Sequence, residues 1–212
     1  MTLALEQSLL AEFTARALPT RTLVWESAQA LVVSPSDRQL PRYANAANAS
    51  AIDGWPIAVR SSGGSAVPVG PGSLCISVLM SWSGKPPSLA RGYELICEPV
   101  VAALTSLGVN ASIGPAPGSF CDGKYNVLVD GRKIAGTAQR RTARADGGAI
   151  LAHAMLIVDA DPVALTRVVA KFYERAGGDR SLHAESLTSV AKCVQANRGR
   201  DLRAELIQSL AR

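Results

Sequence analysis

Residues 118–139 read Gly118-Ser119-Phe120-Cys121-Asp122-Gly123-Lys124-Tyr125-Asn126-Val127-Leu128-Val129-Asp130-Gly131-Arg132-Lys133-Ile134-Ala135-Gly136-Thr137-Ala138-Gln139. A short strand-like run, Tyr125 to Val129, meets Asp130-Gly131 and is followed by a second run. Both central residues of a type I′ turn need positive φ, so Asp-Gly between two apolar-alternating runs predicts a β-hairpin. Lys133 stands at the start of the returning strand and Cys121 just ahead of the first. The hairpin thus brings a thiol and an amine near one another. The small residues Ala135, Gly136, Thr137 and Ala138 let a ligand approach the second strand closely.

Downstream, Arg140, Arg141 and Arg144 read as a loop, either simply solvated or a mildly basic face suited to an acidic protein partner or a nucleotide phosphate, followed by an apolar strand from Ala149 to Val158. Asp161-Pro162 is an N-cap with a first-turn proline. Leu165, Val168, Val169 and Phe172 give that helix its buried stripe, and Gly177-Gly178 ends it. Asp201 caps a last helix carrying Leu202, Leu206 and Leu210.

Upstream, Ser73 to Trp82 alternates. Leu74, Ile76, Val78, Met80 and Trp82 share one face, while Ser73, Cys75, Ser77 and Ser81 hold the other, which predicts a strand with one face on the core. Tyr93 to Leu107 reads as a helix with Pro99 near its first turn and Gly108 as its stop. Leu5, Leu9, Leu10 and Phe13 fall at helical spacing ahead of Pro19. Thr22 to Glu26, Ala30 to Val33 and Pro56 to Arg60 read as strands. Residues 34–54 read as a loop with a short helix. Four glycines and two prolines between Ser61 and Gly72 argue against regular structure there. The pattern implies one α+β domain over residues 1–212, a mixed sheet flanked by helices.

The 212 residues are 48% hydrophobic and 18% charged, enough apolar content for a real core. No run approaches the roughly 18 apolar residues of a membrane span. The start of the chain lacks a basic segment followed by an apolar block, so no secretory signal is read. Cysteines at 75, 97, 121 and 193 are scattered without a Cys-x-x-Cys pair. That spacing points away from disulfides and zinc and toward a reducing, cytoplasmic setting. A net charge of +5, spread along the chain with no basic–aromatic interleaving, gives nucleic-acid binding little support.

Arg60-Ser61-Ser62-Gly63-Gly64-Ser65-Ala66-Val67 resembles the Arg-Arg-x-Ser-Gly-Gly-Gly-Ala-Val loop of the lipoate–protein ligase and octanoyltransferase family. Lys133 in Asp-Gly-Arg-Lys-Ile-Ala-Gly-Thr-Ala-Gln matches that family's acyl-binding lysine. Cys121-x-Gly-x-Tyr125-Asn126 is similar to the Cys-x-Gly-x-Tyr-Asp segment of its amidotransferase branch. His153 lies in a strand similar to the family's His-His-Gly-Thr-Leu-Leu, and Thr188-Ser189-Val190 matches a short segment beyond the core. The resemblance runs in pieces from about residue 5 to residue 190.

The resemblance implies a biotin/lipoate protein ligase-like, class II synthetase-like catalytic domain without a C-terminal accessory domain. It implies catalytic roles for Lys133, which stabilises a developing oxyanion, and Cys121, which forms an acyl-thioester. It implies substrate contacts from Arg60, Ser62, Gly63, Gly64, Ser65, Ala66, Tyr125, Asn126, Gly136, Thr137, Ala138 and His153. Adjacent glycines expose backbone N–H groups to an anion or carbonyl, and an electropositive loop lowers a thiol pKa. Cys75, Cys97 and Cys193 read as structural. The general base for an incoming lysine stays open between Asp122 and the substrate itself.

The implied substrate is a lipoyl or octanoyl group. The implied partner is a lipoyl-carrier domain, either the glycine cleavage H protein or the E2 lipoyl domain of a 2-oxoacid dehydrogenase; no metal, nucleic acid or membrane is implied. A transferase requires no cofactor, whereas a ligase acting through lipoyl-adenylate requires ATP and magnesium. ATP-using ligases carry Asn-Asp where this chain has Tyr125-Asn126, and an uncharged amide is a poor ligand for a hard cation. Their His-Asp after the glycine loop is Val69-Gly70 here, and the third loop glycine is Ser65. These departures favour transfer over ATP-dependent ligation, with a non-catalytic binder of a lipoyl or biotin-like ligand as a further alternative.

Overall fold

A computed structural model describes residues 3–194 and 200–211. The elements run α1 (Leu3–Ala15), β1 (Arg21–Trp25), β2 (Ala30–Val33), α2 (Tyr43–Ile52), β3 (Ile57–Val59), β4 (Val67–Val69), β5 (Ser73–Ser83) and α3 (Leu89–Ser106). They continue with β6 (Ser112–Gly114), β7 (Asn126–Val129), β8 (Arg132–Arg144), β9 (Gly147–Ile157), α4 (Pro162–Ala176), α5 (Val190–Cys193) and α6 (Leu202–Leu210). Six strands form an antiparallel sheet in the order β1-β5-β9-β8-β7-β6. A small sheet, ordered β3-β2-β4, pairs β2 parallel with β3 and antiparallel with β4. The class is α+β, with the parallel pairing confined to the small sheet.

The Asp130-Gly131 hairpin forms, with φ of 49° and 73° at its two central residues. Val129 pairs with Arg132 and Leu128 with Lys133, but Val127 pairs with Ala135. Ile134 is therefore the extra residue of a β-bulge. Side chains alternate along a strand, and one inserted residue reverses the alternation. The bulge puts Lys133 over Gly136, where a Cβ would lie 2.8 Å from Lys133 Cε and 2.9 Å from Nζ. The buried Lys133 amine is thereby directed to the Phe120 and Cys121 carbonyls.

Strands β5 and β9 pair over eleven residues and form the spine of the core. Leu74, Ile76, Val78, Ala152 and Leu156 pack against Ile96, Val100 and Leu104 of α3 and Leu206 of α6. On the opposite face, Cys75, Met155 and Ile157 meet the small sheet and Leu165, Val169 and Phe172 of α4. Further along, Leu79 and Leu151 meet Leu10 and Phe13 of α1. Both faces of β5 are covered, not the single face that its alternation predicts. Ser73 and Ser77 are buried because each is satisfied: Ser73 Oγ, for instance, donates to the Gly70 carbonyl at 2.8 Å.

Other expectations shift. Helix α3 starts at Leu89 behind Ser88, whose hydroxyl accepts from the Arg91 N–H, so Pro99 sits inside the helix rather than in its first turn. Arg140, Arg141 and Arg144 lie on β8, not in a loop, and Arg141 donates to the Pro87 and Ser88 carbonyls. The Gly/Pro stretch contains β4, where Pro68 is tolerated because β4 is an edge strand. Residues 43–52 form a full helix. The N-cap at Asp161, the left-handed Gly177 and the Asp201 cap stand as the sequence implies. Among the described residues, no helix is long and apolar enough to cross a membrane.

Candidate active site

Cys121 adopts φ of 50°, a left-handed conformation that non-glycine residues rarely take, and several bonds hold it there. Its N–H donates to Ser65 Oγ at 2.8 Å. Lys133 Nζ donates to the Phe120 carbonyl at 2.6 Å and to the Cys121 carbonyl at 2.8 Å. Asp122 Oδ1 accepts from the Ala116 N–H and from Asn126 Nδ2, and Asn126 Nδ2 also donates to the Gly123 carbonyl at 2.6 Å. Asp122 and Asn126 thus clamp the loop from within. Tyr125 stacks on Tyr93 with ring centroids 4.4 Å apart, and its carbonyl accepts from Thr137 Oγ1.

The glycine loop closes over the thiol. Arg60 Nη2 donates to the Gly63 carbonyl at 3.0 Å, to the Ser65 carbonyl at 2.7 Å and to Cys121 Sγ at 3.6 Å. Gly64 has φ of 105°, and a Cβ there would lie 2.7 Å from Cys121 Sγ and 2.8 Å from Arg60 Nη2. Only glycine fits. Arg60 is buried, and its Nε has no hydrogen-bond partner. The Ala66 N–H donates to the Tyr173 hydroxyl, which itself donates to Asp37, so the far end of the loop is pinned to α4.

Burial pushes the Cys121 thiol up, but the Arg60 charge, the Lys133 charge and hydrogen bonds from Ser65 and Arg60 outweigh it and hold the thiol below its ordinary 9.0. Burial lowers Lys133 to about 8 against opposing pulls from Cys121 and Asp122, with Arg60 lowering it further. Cys75 and Cys97 go the other way, pushed up by burial to about 12 and about 11. The environments thus shift the Cys121 thiol in the opposite direction from those of Cys75 and Cys97.

Beside Cys121 lies a pocket with about 490 Å³ of empty space, partly continuous with solvent. Val32, Val67, Ile76, Ala154 and Met155 make its apolar walls, and Gly136, Thr137 and Ala138 complete the β8 side. Arg60, Cys121 and His153 reach the same pocket. Thr188 and Ser189 are buried, and the Thr188 N–H donates to the Lys133 carbonyl at 2.9 Å.

Glu6 escapes the sequence reading. Its carboxylate is buried on α1 and lies 3.3 Å from His153 Nδ1, while His153 Nε2 lies 2.7 Å from Ser62 Oγ. A signal existed: Glu6 stands four residues before Leu10 and seven before Phe13, on the helix's buried stripe. Leu5, placed on that stripe by spacing, is exposed.

The fold is that of the lipoate–protein ligase catalytic domains. A crystal structure of lipoate-protein ligase A bound with ATP matches 99% of this chain and 78% of that chain with a TM-score of 0.72 at 20% identity. Residues 1–211 match the family model described as the lipoyl protein ligase A/B catalytic domain, and the chain belongs to that family. An octanoyl-GcvH:protein N-octanoyltransferase from Kyrpidia tusciae is 38% identical over 178 residues, 81% of this chain and 62% of that protein. A protein of the same name from Geobacillus kaustophilus is 30% identical over 150 residues, 71% of this chain and 52% of that protein. The chain spans between half and two thirds of the length of these two relatives.

Proposed function

We propose that this chain transfers an octanoyl or lipoyl group to, or between, lysines of lipoyl-carrier proteins through a thioester on Cys121. The observation that carries the reading is Cys121 Sγ in an apolar pocket, 3.6 Å from Arg60 and in a loop whose carbonyls Lys133 holds. Fixed positive charge beside a thiol raises its thiolate fraction, and the thiolate is the nucleophile. The names of the two curated relatives, both N-octanoyltransferases acting from GcvH, support transfer over ligation.

The pocket takes the acyl chain, each buried methylene contributing roughly 0.8 kcal/mol. An ammonium has three N–H donors; Lys133 gives two to the Phe120 and Cys121 carbonyls, leaving one for the substrate carbonyl oxygen. The oxyanion that develops there is stabilised by this donor and by exposed backbone N–H groups of Gly63 and Gly64. Ser65, Asn126 and Tyr125 hold the walls of the site in place, and Gly136, Thr137 and Ala138 receive the chain. The carrier partner is a glycine cleavage H protein or an E2 lipoyl domain, and the free thiols suit the cytoplasm.

ATP and magnesium do not fit this donor set. Asn126 stands where ATP-using relatives carry the aspartate, and its amide donates to the Gly123 and Gly114 carbonyls. Intact-protein mass spectrometry after incubation with octanoylated carrier, without ATP, tests the reading. An acyl-sized gain removed by hydroxylamine and absent in Cys121→Ser supports it. Carrier modification that appears only with ATP and free acid, and persists in Cys121→Ser, overturns it in favour of a ligase.

A further inference from the structure

We propose that Glu6, His153 and Ser62 form the proton relay of the acyl transfer, His153 Nε2 storing the proton that carrier lysines gain and lose. The inference rests on the thioester reading of Cys121. It also supplies what that reading lacks, because Asp122 is turned into its own loop and Lys133 is a donor to two carbonyls.

The direction of each hydrogen bond follows from the network. Trp25 Nε1–H donates to Ser77 Oγ at 3.0 Å, so the Ser77 hydrogen is directed to Glu6 Oε1. Glu6 therefore accepts as a carboxylate. Burial pushes it up, but hydrogen bonding and charge from His153, then Ser77 and Arg60, bring it below its ordinary 4.5. A carboxylate at 3.3 Å from Nδ1 selects the tautomer with hydrogen on Nδ1. Nε2 then presents its lone pair, and Ser62 Oγ–H donates to it at 2.7 Å. The order carboxylate, imidazole, hydroxyl is that of an activated nucleophile or base. Here Ser62 is buried, which makes it a conduit rather than an attacking group.

The relay opens on the same pocket as the thiol. Glu6, Arg60, Cys121 and His153 line one pocket. Ser62 is two residues from Gly64, at most about 7 Å of chain, and the Gly64 Cβ position is 2.7 Å from Cys121 Sγ. Register explains the placement: β9 sets His153 opposite Ser77 on one side and Ala138 on the other, and α1 lays Glu6 across that face. The titratable groups sharing the pocket with His153 are Glu6 from α1, Arg60 after β3, Cys75 on β5 and Cys121.

The proton balance closes. On becoming a thiolate, Cys121 passes its proton through Ser62 to Nε2. The thiolate attacks the amide carbonyl of an acylated carrier lysine; the C–S bond forms, the C–N bond breaks, and the departing nitrogen takes the Nε2 proton through Ser62. In the second half an acceptor lysine amine attacks the thioester. The C–N bond forms, the C–S bond breaks, and the amine proton returns through Ser62 to Nε2, restoring thiolate and imidazolium.

The test compares two octanoyl donors in single-turnover acylation of Cys121: the octanoylated carrier amide and an octanoyl thioester of a small thiol. A thiolate leaving group needs no proton, whereas an amine leaving group does. General acid–base catalysis contributes roughly 100- to 10,000-fold. His153→Gln is therefore expected to slow the amide donor about 100-fold more than the thioester donor. Glu6→Gln, a positioning change, and Ser62→Ala are expected to show the same split with smaller size, and either replaces His153→Gln if that variant fails to fold. Equal slowing of both donors means a structural role only and overturns the relay while leaving the thioester intact. No thioester in the unmodified protein from either donor overturns the thioester reading and the relay together.

Discussion

Arg60 Nη2 lies 3.6 Å from Cys121 Sγ, and both residues are buried. Burial raises a thiol, as at Cys75, where the Glu6 charge adds to it; at Cys121 the Arg60 charge, with that of Lys133, outweighs burial and lowers it. Alkylation of the native protein with iodoacetamide at pH 7.5 is expected to label Cys121 ahead of Cys75 and Cys97, which burial pushes to about 12 and about 11. Arg60→Gln is expected to slow that labelling, since losing the guanidinium removes the leading cause that lowers the thiol and so reduces the thiolate fraction. Peptide mapping of the label reads both effects, and preferential labelling of Cys75 contradicts the assignment.

Gly64 tests how tightly the glycine loop fits. A Cβ at that position overlaps Cys121 Sγ and Arg60 Nη2 at 2.7 and 2.8 Å, with φ of 105° adding strain that an alanine cannot relieve. Gly64→Ala is expected to lower acyl transfer by about 100-fold or more, a 1 Å displacement being enough for that loss. Gly123→Ala, in open space with no positive φ, is expected to stay within a few-fold. Similar rates in the two variants would show that the loop does not press on the thiol.

Lys133 gives the protein a pH signature. Burial lowers its pKa to about 8, whereas the unfolded chain keeps the ordinary lysine value of 10.5. Between those values the unfolded state binds the extra proton, so this group makes stability rise with pH across the window. Under the proposed mechanism activity moves oppositely, because the ammonium assigned to polarise the carbonyl is lost above about pH 8. Lys133→Met is expected to lower transfer by roughly 100- to 1000-fold, the usual cost of an oxyanion donor. In thermal melts it should flatten the stability rise between pH 8 and 10. A melting profile of unchanged slope would mean that Lys133 is not neutralised in that window.

The hairpin, its Asp-Gly turn and the two capped helices after β9 were legible because each depends on local chemistry: φ sign at Asp130 and Gly131, a side-chain acceptor at Asp161 and Asp201. The covered second face of β5 was not, since buried serines that find partners look identical to solvated ones. The bulge at Ile134 left no mark in the sequence, because it arises from the register with β7. Glu6 lay on a readable stripe, but pairing it with His153 requires a helix and a strand 147 residues apart to meet. Cys121, Lys133 and Arg60 could be named as types of residue; that they converge on one loop is a property of the fold.

Gly136 couples that bulge to the chemistry. Lys133 Cε and Nζ occupy the space where a side chain at 136 would begin, at 2.8 and 2.9 Å. An alanine there forces the end of the lysine to move, and a flexible side chain can do so without unfolding the sheet. The move detaches Nζ from the Phe120 and Cys121 carbonyls, which the same ammonium holds at 2.6 and 2.8 Å. Each hydrogen bond to a charged group contributes about 1.5 to 3 kcal/mol, and part of that hold on the Cys121 loop is lost. Gly136→Ala is therefore expected to retain its fold by circular dichroism, to lose transfer about 10- to 100-fold, and to expose backbone amides of residues 119–123 to faster hydrogen exchange. Faster exchange confined to that loop ties the lysine to the geometry of the thiol. Lost activity with unchanged exchange would mean that Lys133 acts on the substrate alone and that the loop is held by Ser65, Asp122 and Asn126.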